Sequence, residues 1–199
     1  MKSVDTVPEA LQRRPKRADA RRNYDKLITA ARQAFTEDGT SASLEDIARR
    51  AQVGIGTLYR HFPSRQELLE AVYVDEVEAV CRSAEEFAEL APWDGLIGWL
   101  HRLVGYVSTK QALAEELFAY VDKDAEVFRT CRESLYGGGE PLLRRAQQAG
   151  VVRPDTDITD VVQLVSGITK IHAADPRQME RVLDMALDGL RYRPPEADR

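Results

Sequence analysis

Apolar residues recur at spacings of three and four along most of the chain, the period of an amphipathic helix. The first such stretch covers residues 18–38. Leu27, Ala31, Ala34 and Phe35 form its stripe, Tyr24 and Ile28 extend it, and Arg21, Arg22, Lys26 and Arg32 lie opposite. Gly39 follows as the residue past the helix end, where a left-handed backbone costs glycine least.

A shorter helix is predicted from Ser43 to about Gln52. Ser43 is placed to cap it, and Asp46 stands where the partner of a weak capping box would be. Leu44, Ile47, Ala48 and Ala51 face inward, and Arg49 and Arg50 outward. Val53 and Gly54 make a turn: Val53 fills the angle between helices, and Gly54 is expected to take an unusual backbone conformation. A second short helix spans about residues 55–62. Leu58 and Phe62 are four apart and must face the core, which leaves Gly56, Thr57, Tyr59, Arg60 and His61 outside. Pro63 ends it. Ser64 and Glu67 then form an S-x-x-E capping box for a long helix over about residues 65–89, with Leu68, Leu69, Val72, Tyr73, Val77 and Val80 on its buried side.

The rest of the chain reads as helices throughout. Trp93, Leu96, Ile97, Leu100, Leu103, Val104 and Val107 form one stripe after Pro92, and Leu113, Leu117, Phe118 and Val121 a shorter one. Residues 124–136 make a third, with Val127, Phe128, Cys131 and Leu135 inward. Gly137, Gly138 and Gly139, followed by Glu140-Pro141, predict a break or kink, since each glycine costs about 1 kcal/mol inside a helix. A helix opened by Pro141 would run to Ala149, Gly150 would close it, and residues 151–157 would be a loop. The last two helices are expected over residues 158–173 and 176–192. The first carries Val161, Val162, Leu164, Val165, Gly167, Ile168 and Ile171, too apolar all round for a surface helix; the second carries Met179, Val182, Leu183, Ala186, Leu187 and Leu190. Two such helices from each of two subunits would make a four-helix bundle. The fold class is therefore all-α. Residues 1–17 read as a disordered basic arm, either a solvated tail or a segment that adds phosphate or minor-groove contacts. Residues 193–199 read as a disordered tail.

Charge sharpens this picture. The chain carries a formal −5, but residues 10–66 hold twelve Lys/Arg against six Asp/Glu, so that segment is +6 and the remainder −11. A basic module on an acidic body suits a protein that docks one end on phosphate. No apolar run approaches the roughly 18 residues of a membrane span, and the N-terminus has no signal-peptide core, so the expectation is a cytoplasmic protein. Cys81 and Cys131 lack metal-ligand spacing and read as buried free thiols.

In the second short helix, small residues let the backbone approach a major groove, and hydroxyl, aromatic and basic groups can reach bases and phosphates. Thr57 is the candidate for a base edge. Tyr59 could be core; because Leu58 and Phe62 already supply the inner face, its hydroxyl is assigned to a phosphate. His61 is a surface histidine or, the preferred reading, a phosphate contact. Ser43 could place the preceding helix's first amides on a phosphate. Gly54, Ile55, Gly56, Arg60 and Arg65 complete the candidate DNA-binding set.

The pattern from Leu27 through Leu69 resembles the N-terminal DNA-binding domain of the TetR family of bacterial regulators. The matching residues are Ala31, Phe35, Gly39, Ile47-Ala48, Ala51, Val53, Gly56-Thr57-Leu58-Tyr59, His61-Phe62, Ser64 and Leu68-Leu69. The chain departs from the family's habit at Gln52, often glycine; at Gly54, often serine; and at Ile55 and Arg65, each often lysine. The stretch LLRRAQQAGVVRPDTD resembles the SbtR-like C-terminal subgroup. The resemblance implies a helix-turn-helix domain over residues 18–64 and a regulatory and dimerisation domain over 65–192. It also implies a homodimer joined by the last two helices, with Val161, Val165, Ile168, Val182, Leu183, Ala186, Leu187 and Leu190 as interface candidates.

The expected function is a sequence-specific transcriptional regulator of double-stranded DNA, a repressor released from a pseudo-palindromic operator by a small, mostly apolar effector. Trp99, Leu103, Tyr106, Phe118, Phe128, Cys131, Tyr136 and His172 are candidate effector contacts, each with plain core as its alternative. The competing reading is a regulator whose second domain binds a protein partner. No H-E-x-x-H, C-x-x-C, G-x-S-x-G or phosphate-loop motif occurs, so neither an enzyme nor a cofactor or metal is expected.

Overall fold

In the computed structural model, residues 14–118, 120, 126–171 and 176–192 are described. They form eight α-helices: α1 Ala18–Asp38, α2 Leu44–Arg50, α3 Ile55–His61, α4 Arg65–Ala88, α5 Pro92–Leu117, α6 Glu126–Gln148, α7 Ile158–Ile168 and α8 Pro176–Asp188. Among the described residues the only extended pairing is an antiparallel bridge between Val152 and Arg191. The all-α expectation holds. The chain divides into two compact units, residues 1–78 with 109–133, and residues 79–108 with 134–199, so α4, α5 and α6 each contribute to both.

The first unit is assembled around α1, where Leu27, Ala31, Ala34 and Phe35 are buried together with Ile47 and Ala48 of α2, Leu58 of α3, and Leu68, Leu69 and Val72 of α4. Burying a leucine, isoleucine or phenylalanine side chain contributes about 1.5–3 kcal/mol. That burial, rather than propensity, holds seven-residue helices such as α2 and α3, too short to persist alone. Local chemistry sets their ends. Gly39 closes α1 at φ +54°, and its N–H donates to Phe35 O. Ser43 Oγ accepts from Asp46 N at 3.0 Å and starts α2. Ser64 Oγ accepts from Glu67 N at 3.2 Å and starts α4.

The turn between α2 and α3 differs from expectation. Gly54 sits at φ −63°, ψ 141°, an extended conformation open to any residue, and caps α3 through its backbone alone. The unusual backbone falls at Gln52, whose φ of 55° is the only positive value at a non-glycine among the described residues. Gln52 stands just past α2, where Val53 N returns to Ala48 O at 3.0 Å, so the helix ends in a left-handed residue without the glycine that suits it.

In the second unit, Trp99 anchors the core: it is fully buried, and its indole N–H donates to Val80 O at 3.2 Å. The glycine run sits beside it, and no break occurs. α6 continues from Glu126 through Gly137-Gly138-Gly139 and Pro141 to Gln148. Packing overrides propensity here. A Cβ at Gly139 would lie 2.3 Å from Trp99 Cη2 and 2.8 Å from Ile158 Cδ1, and one at Gly138 would lie 3.5 Å from Cys81 Cα. Gly139 permits close approach rather than a turn, while Gly138 is in ordinary contact with Cys81 and Gly137 faces open space. The separate helix expected around Leu113 is likewise absent, because α5 runs unbroken from Pro92 to Leu117. The stretch Ser108-Thr109-Lys110-Gln111-Ala112 offers neither glycine nor proline to stop it.

α7 begins with a capping box that the sequence reading missed. Asp157 Oδ1 accepts from Asp160 N at 2.9 Å, and Asp160 Oδ2 accepts from Asp157 N at 3.2 Å. Both last helices are shorter than expected. α7 ends in tight turns, with Lys170 N donating to Gly167 O at 3.2 Å and Ile171 N to Ile168 O at 3.0 Å, and the chain past α8 turns back to the 151–153 segment, where Arg153 N donates to Leu190 O at 2.9 Å and Tyr192 N to Val151 O at 3.2 Å. Cys81 and Cys131 are both free; Cys131 is buried, while Cys81 is half-buried and donates to Ser134 O at 3.4 Å.

Two comparisons test these features. Gly137, where a Cβ meets nothing within 4 Å, should accept alanine with a stability gain approaching about 1 kcal/mol. Gly139→Ala should cost about 1–3 kcal/mol or more through overpacking. Equal denaturation midpoints for the two variants would refute the close-approach role. Gln52→Gly should raise stability by about 1 kcal/mol by removing the side-chain penalty of the left-handed region. A lower melting temperature for that variant would refute it.

Candidate nucleic-acid interface

α3 turns one face inward and one outward because its two large apolar anchors are four residues apart. Leu58 is fully buried, and Phe62, which closes the helix, packs 5.1 Å from the Tyr24 ring of α1. Held from behind at these points, the helix exposes Ile55, Gly56, Tyr59 and Arg60 and leaves Thr57 half-buried. Tyr59 is 46% exposed, so the core reading of this tyrosine fails. Gly54 and Gly56 have open space where a Cβ would stand, giving α3 a low profile at its start.

His61 is placed differently. It is half-buried, with its ring 6.1 Å from Tyr24 in an edge-on arrangement, and burial lowers its pKa. A neutral imidazole can donate one hydrogen bond to a phosphate but brings no charge. Tyr24, buried beside it, has its own pKa pushed up to about 12, chiefly by burial. Ser43 is exposed, but its hydroxyl is engaged as the cap of α2.

The arginines of the basic segment divide sharply. Arg50 bridges Asp46 at 2.5 Å, Asp38 at 2.9 Å and Glu37; Arg49 also pairs with Asp46. The two guanidiniums hold the Asp46 carboxyl below its usual range. Arg32 pairs with Asp75 at 2.6 Å and with Glu76, while Arg14 pairs with Asp25 at 3.0 Å and lies 3.8 Å from Glu78. Of the arm expected over residues 1–17, residues 1–13 lie outside the described residues, and Arg14 is engaged with the first unit. Arg65 is part-buried and donates to the carbonyls of Ala42 and Gly39. Arg17, Arg21, Lys26 and Arg60 are exposed and form no ion pair with another described residue. Lys26 escaped the sequence reading of the site. With Arg22, Thr29, Gln33 and Gln52 it lines an open groove of about 510 Å³ beside the α2–α3 turn. The Arg22/Lys26 pair, four apart on one face of α1, was the available signal.

The other candidate sets are distributed as follows. Trp99, Leu103 and Tyr106 are buried and Tyr136 is half-buried in the second unit. Phe128 and Cys131 are buried in the first, where Phe128 lies 5.1 Å from Tyr73 and 5.3 Å from an exposed Phe118. His172 lies outside the described residues. Of the interface candidates, Val161, Val165, Ile168, Leu183, Leu187 and Leu190 are buried within the chain itself, so they have little surface left for a partner; Val182 and Ala186 are half-buried. The apolar side chains that α7 and α8 leave exposed are Leu164 and Met185, followed by Ile171 just past α7. An apolar stripe marks what a helix buries, not whose chain covers it.

Among the described residues no group of three or more His, Cys, Asp or Glu could hold a metal ion, and no helix is long and apolar enough to cross a membrane.

The comparisons agree with this geometry. Residues 27–72 match the model of bacterial regulatory proteins of the tetR family, and residues 91–192 match the C-terminal domain of SbtR-like transcriptional regulators. The chain resembles a TetR transcriptional regulator of Streptomyces coelicolor, with 39% identity, 85% of this chain and 98% of that one covered, and a TM-score of 0.75. It resembles a TetR regulatory protein of Mycobacterium vanbaalenii at 30% identity, covering 89% and 99% of the two chains, with a TM-score of 0.73. The HTH-type transcriptional regulator UidR of Escherichia coli K12 is 26% identical over 156 residues, 76% of this chain and 80% of that protein. With a two-anchor helix-turn-helix followed by a helical domain, and with these matches over both halves, the chain belongs to the TetR family of DNA-binding transcriptional regulators.

Proposed function

We propose that the protein is a repressor that binds a pseudo-palindromic operator as a homodimer and releases it when a small, mostly apolar effector binds. The observation that carries the DNA-binding part is the split face of α3: Leu58 and Phe62 are wholly buried, while Ile55, Gly56, Tyr59 and Arg60 stand outside. In this reading α3 enters a major groove. Gly54 and Gly56 allow close approach, Thr57 and Ile55 lie against base edges, and Tyr59 and Arg60 bind phosphates. His61 donates one hydrogen bond as a neutral imidazole, and Ser43 orients the first amides of α2. Arg17, Arg21 and Lys26 extend the basic surface along α1.

For the homodimer, the supporting surface is the exposed part of α7 and α8. Leu164 and Met185 line an open groove of about 400 Å³ together with Val161, Ala186 and Leu190 and with the charged Arg153, Asp155 and Asp160. For the effector, support comes from the aromatic cluster of Tyr73, Phe128 and the exposed Phe118. Tyr73 belongs to α4, whose first residue lies four positions beyond α3, so a ligand near this cluster would act on the helix that follows the reading head. Release is then a shift between two states of different DNA affinity.

Selection of bound duplexes from random DNA should enrich two half-sites related by a two-fold axis; no enrichment would sink the operator reading. On the selected duplex, Arg60→Gln should lower the slope of log affinity against log salt by about 1 per subunit contact, and Tyr59→Phe should weaken binding by about fivefold to tenfold. Unchanged affinity for both would remove α3's outer face from the interface. Met185 is 68% exposed, so Met185→Glu should leave the fold intact and shift sedimentation toward monomer. An undiminished dimer would exclude the α7–α8 outer face.

A further inference from the structure

We infer that Arg65 is a positioning residue for the recognition helix, acting through the backbone of the α1–α2 connection rather than through a phosphate. The inference rests on α3 being the DNA-reading helix. Arg65 is the first residue of α4, three past the Phe62 anchor. Its guanidinium turns back toward the protein: Nη1 donates to Ala42 O, Nη2 lies 3.5 Å from Gly39 O, and Cζ stands 5.0 Å from the centroid of the Phe35 ring. Each contact marks a junction. Phe35 and Gly39 form the end of α1, where Gly39 takes φ +54°. Ala42 immediately precedes Ser43, the cap of α2. One side chain on α4 therefore holds the end of α1 and the start of α2, while Ser64 fixes the first turn of α4 itself.

Geometry makes this a task for arginine. Its planar fork presents several donors at fixed angles and can reach two carbonyls from above an aromatic ring; lysine offers a single compact charge on a flexible stem. Between Gly39 and Ala42 the local backbone bond is Ala42 N to Gly39 O at 3.3 Å. α2 and α3 are seven residues each and have no stability of their own, so their placement is set at their ends. Any displacement of the first turn of α4 is carried through Arg65 to Ala42, and from there to α2 and the helix it packs against.

The test uses Arg65→Lys, which keeps the charge and loses the fork, and Arg65→Gln, which loses both. Full-length variants are measured on a duplex selected by the wild type, across salt concentrations, and by amide hydrogen exchange of the free protein. The expected result is about tenfold weaker binding for both variants with the wild-type salt slope. Amides of α2 and α3 should exchange faster while those of α6–α8 do not change. Wild-type affinity for Arg65→Lys would overturn the inference. A slope lowered by about 1 in Arg65→Gln would do the same, because it marks a phosphate contact. So would unchanged exchange in α2 and α3, or acceleration spread equally over α6–α8, which marks a general loss of stability. If the wild type binds no duplex, the recognition-helix reading fails instead, and the exchange comparison still decides whether Arg65 holds α2 and α3.

Discussion

A two-turn helix cannot present a surface unless something else holds it, and this constraint organises the DNA-reading end of the protein. α3 makes few hydrogen bonds of its own, so its orientation is set by the burial of Leu58 and Phe62 behind it. With those side chains four apart on one face, Tyr59 and Arg60 have only the other face to occupy. Chemistry at the outer face and packing at the inner one are thus a single arrangement. Changes that loosen the α1 core around Phe35 and Tyr24 would impair recognition without touching a DNA-facing group.

Charge acts in two ways in this end of the chain. The excess of lysine and arginine suggested a broad phosphate-binding surface, yet Arg14, Arg32, Arg49 and Arg50 are engaged with carboxylates. Arg32 and Arg14 meet the acidic face of α4 at Asp75, Glu76 and Glu78, so part of the positive charge ties helices of the first unit together. Among the described residues of this end, the exposed cations outside those pairs include Lys16 and Arg17 just before α1, Arg21 and Lys26 on α1, and Arg60 on α3. Net charge by segment describes long-range attraction well and contact identity poorly.

The fold was legible wherever periodicity and end signals coincided. The bounds of α1, the Ser43 and Ser64 caps and the outward placing of Gly56, Tyr59 and Arg60 on α3 were readable because each rests on interactions within a few residues; Thr57 and His61, expected outside with them, are half-buried. The continuous α6 was not, because the reason for Gly139 lies far away in sequence, at Trp99 and Ile158. Gln52 was hidden for the opposite reason. A glycine two residues later looked like the natural owner of a strained turn, and only backbone angles assign the strain. At the α7–α8 surface the sequence identified apolar helices but not which stripe the chain covers with itself. Arg65 looked like a phosphate ligand by type and position, and its carbonyl partners at Gly39 and Ala42 became apparent only in three dimensions.

The meeting of Gly139 with the edge of the Trp99 indole also limits how the sequence can drift. Neither position can change size alone: a methyl group on one helix occupies the space of a ring carbon on another. Substitutions that enlarge residue 139 cost least in a background where residue 99 has shrunk and the Ile158 side chain has moved. The two positions should therefore vary together among descendants of this chain, and grafting one of them without the other into a relative would carry over a void or a clash.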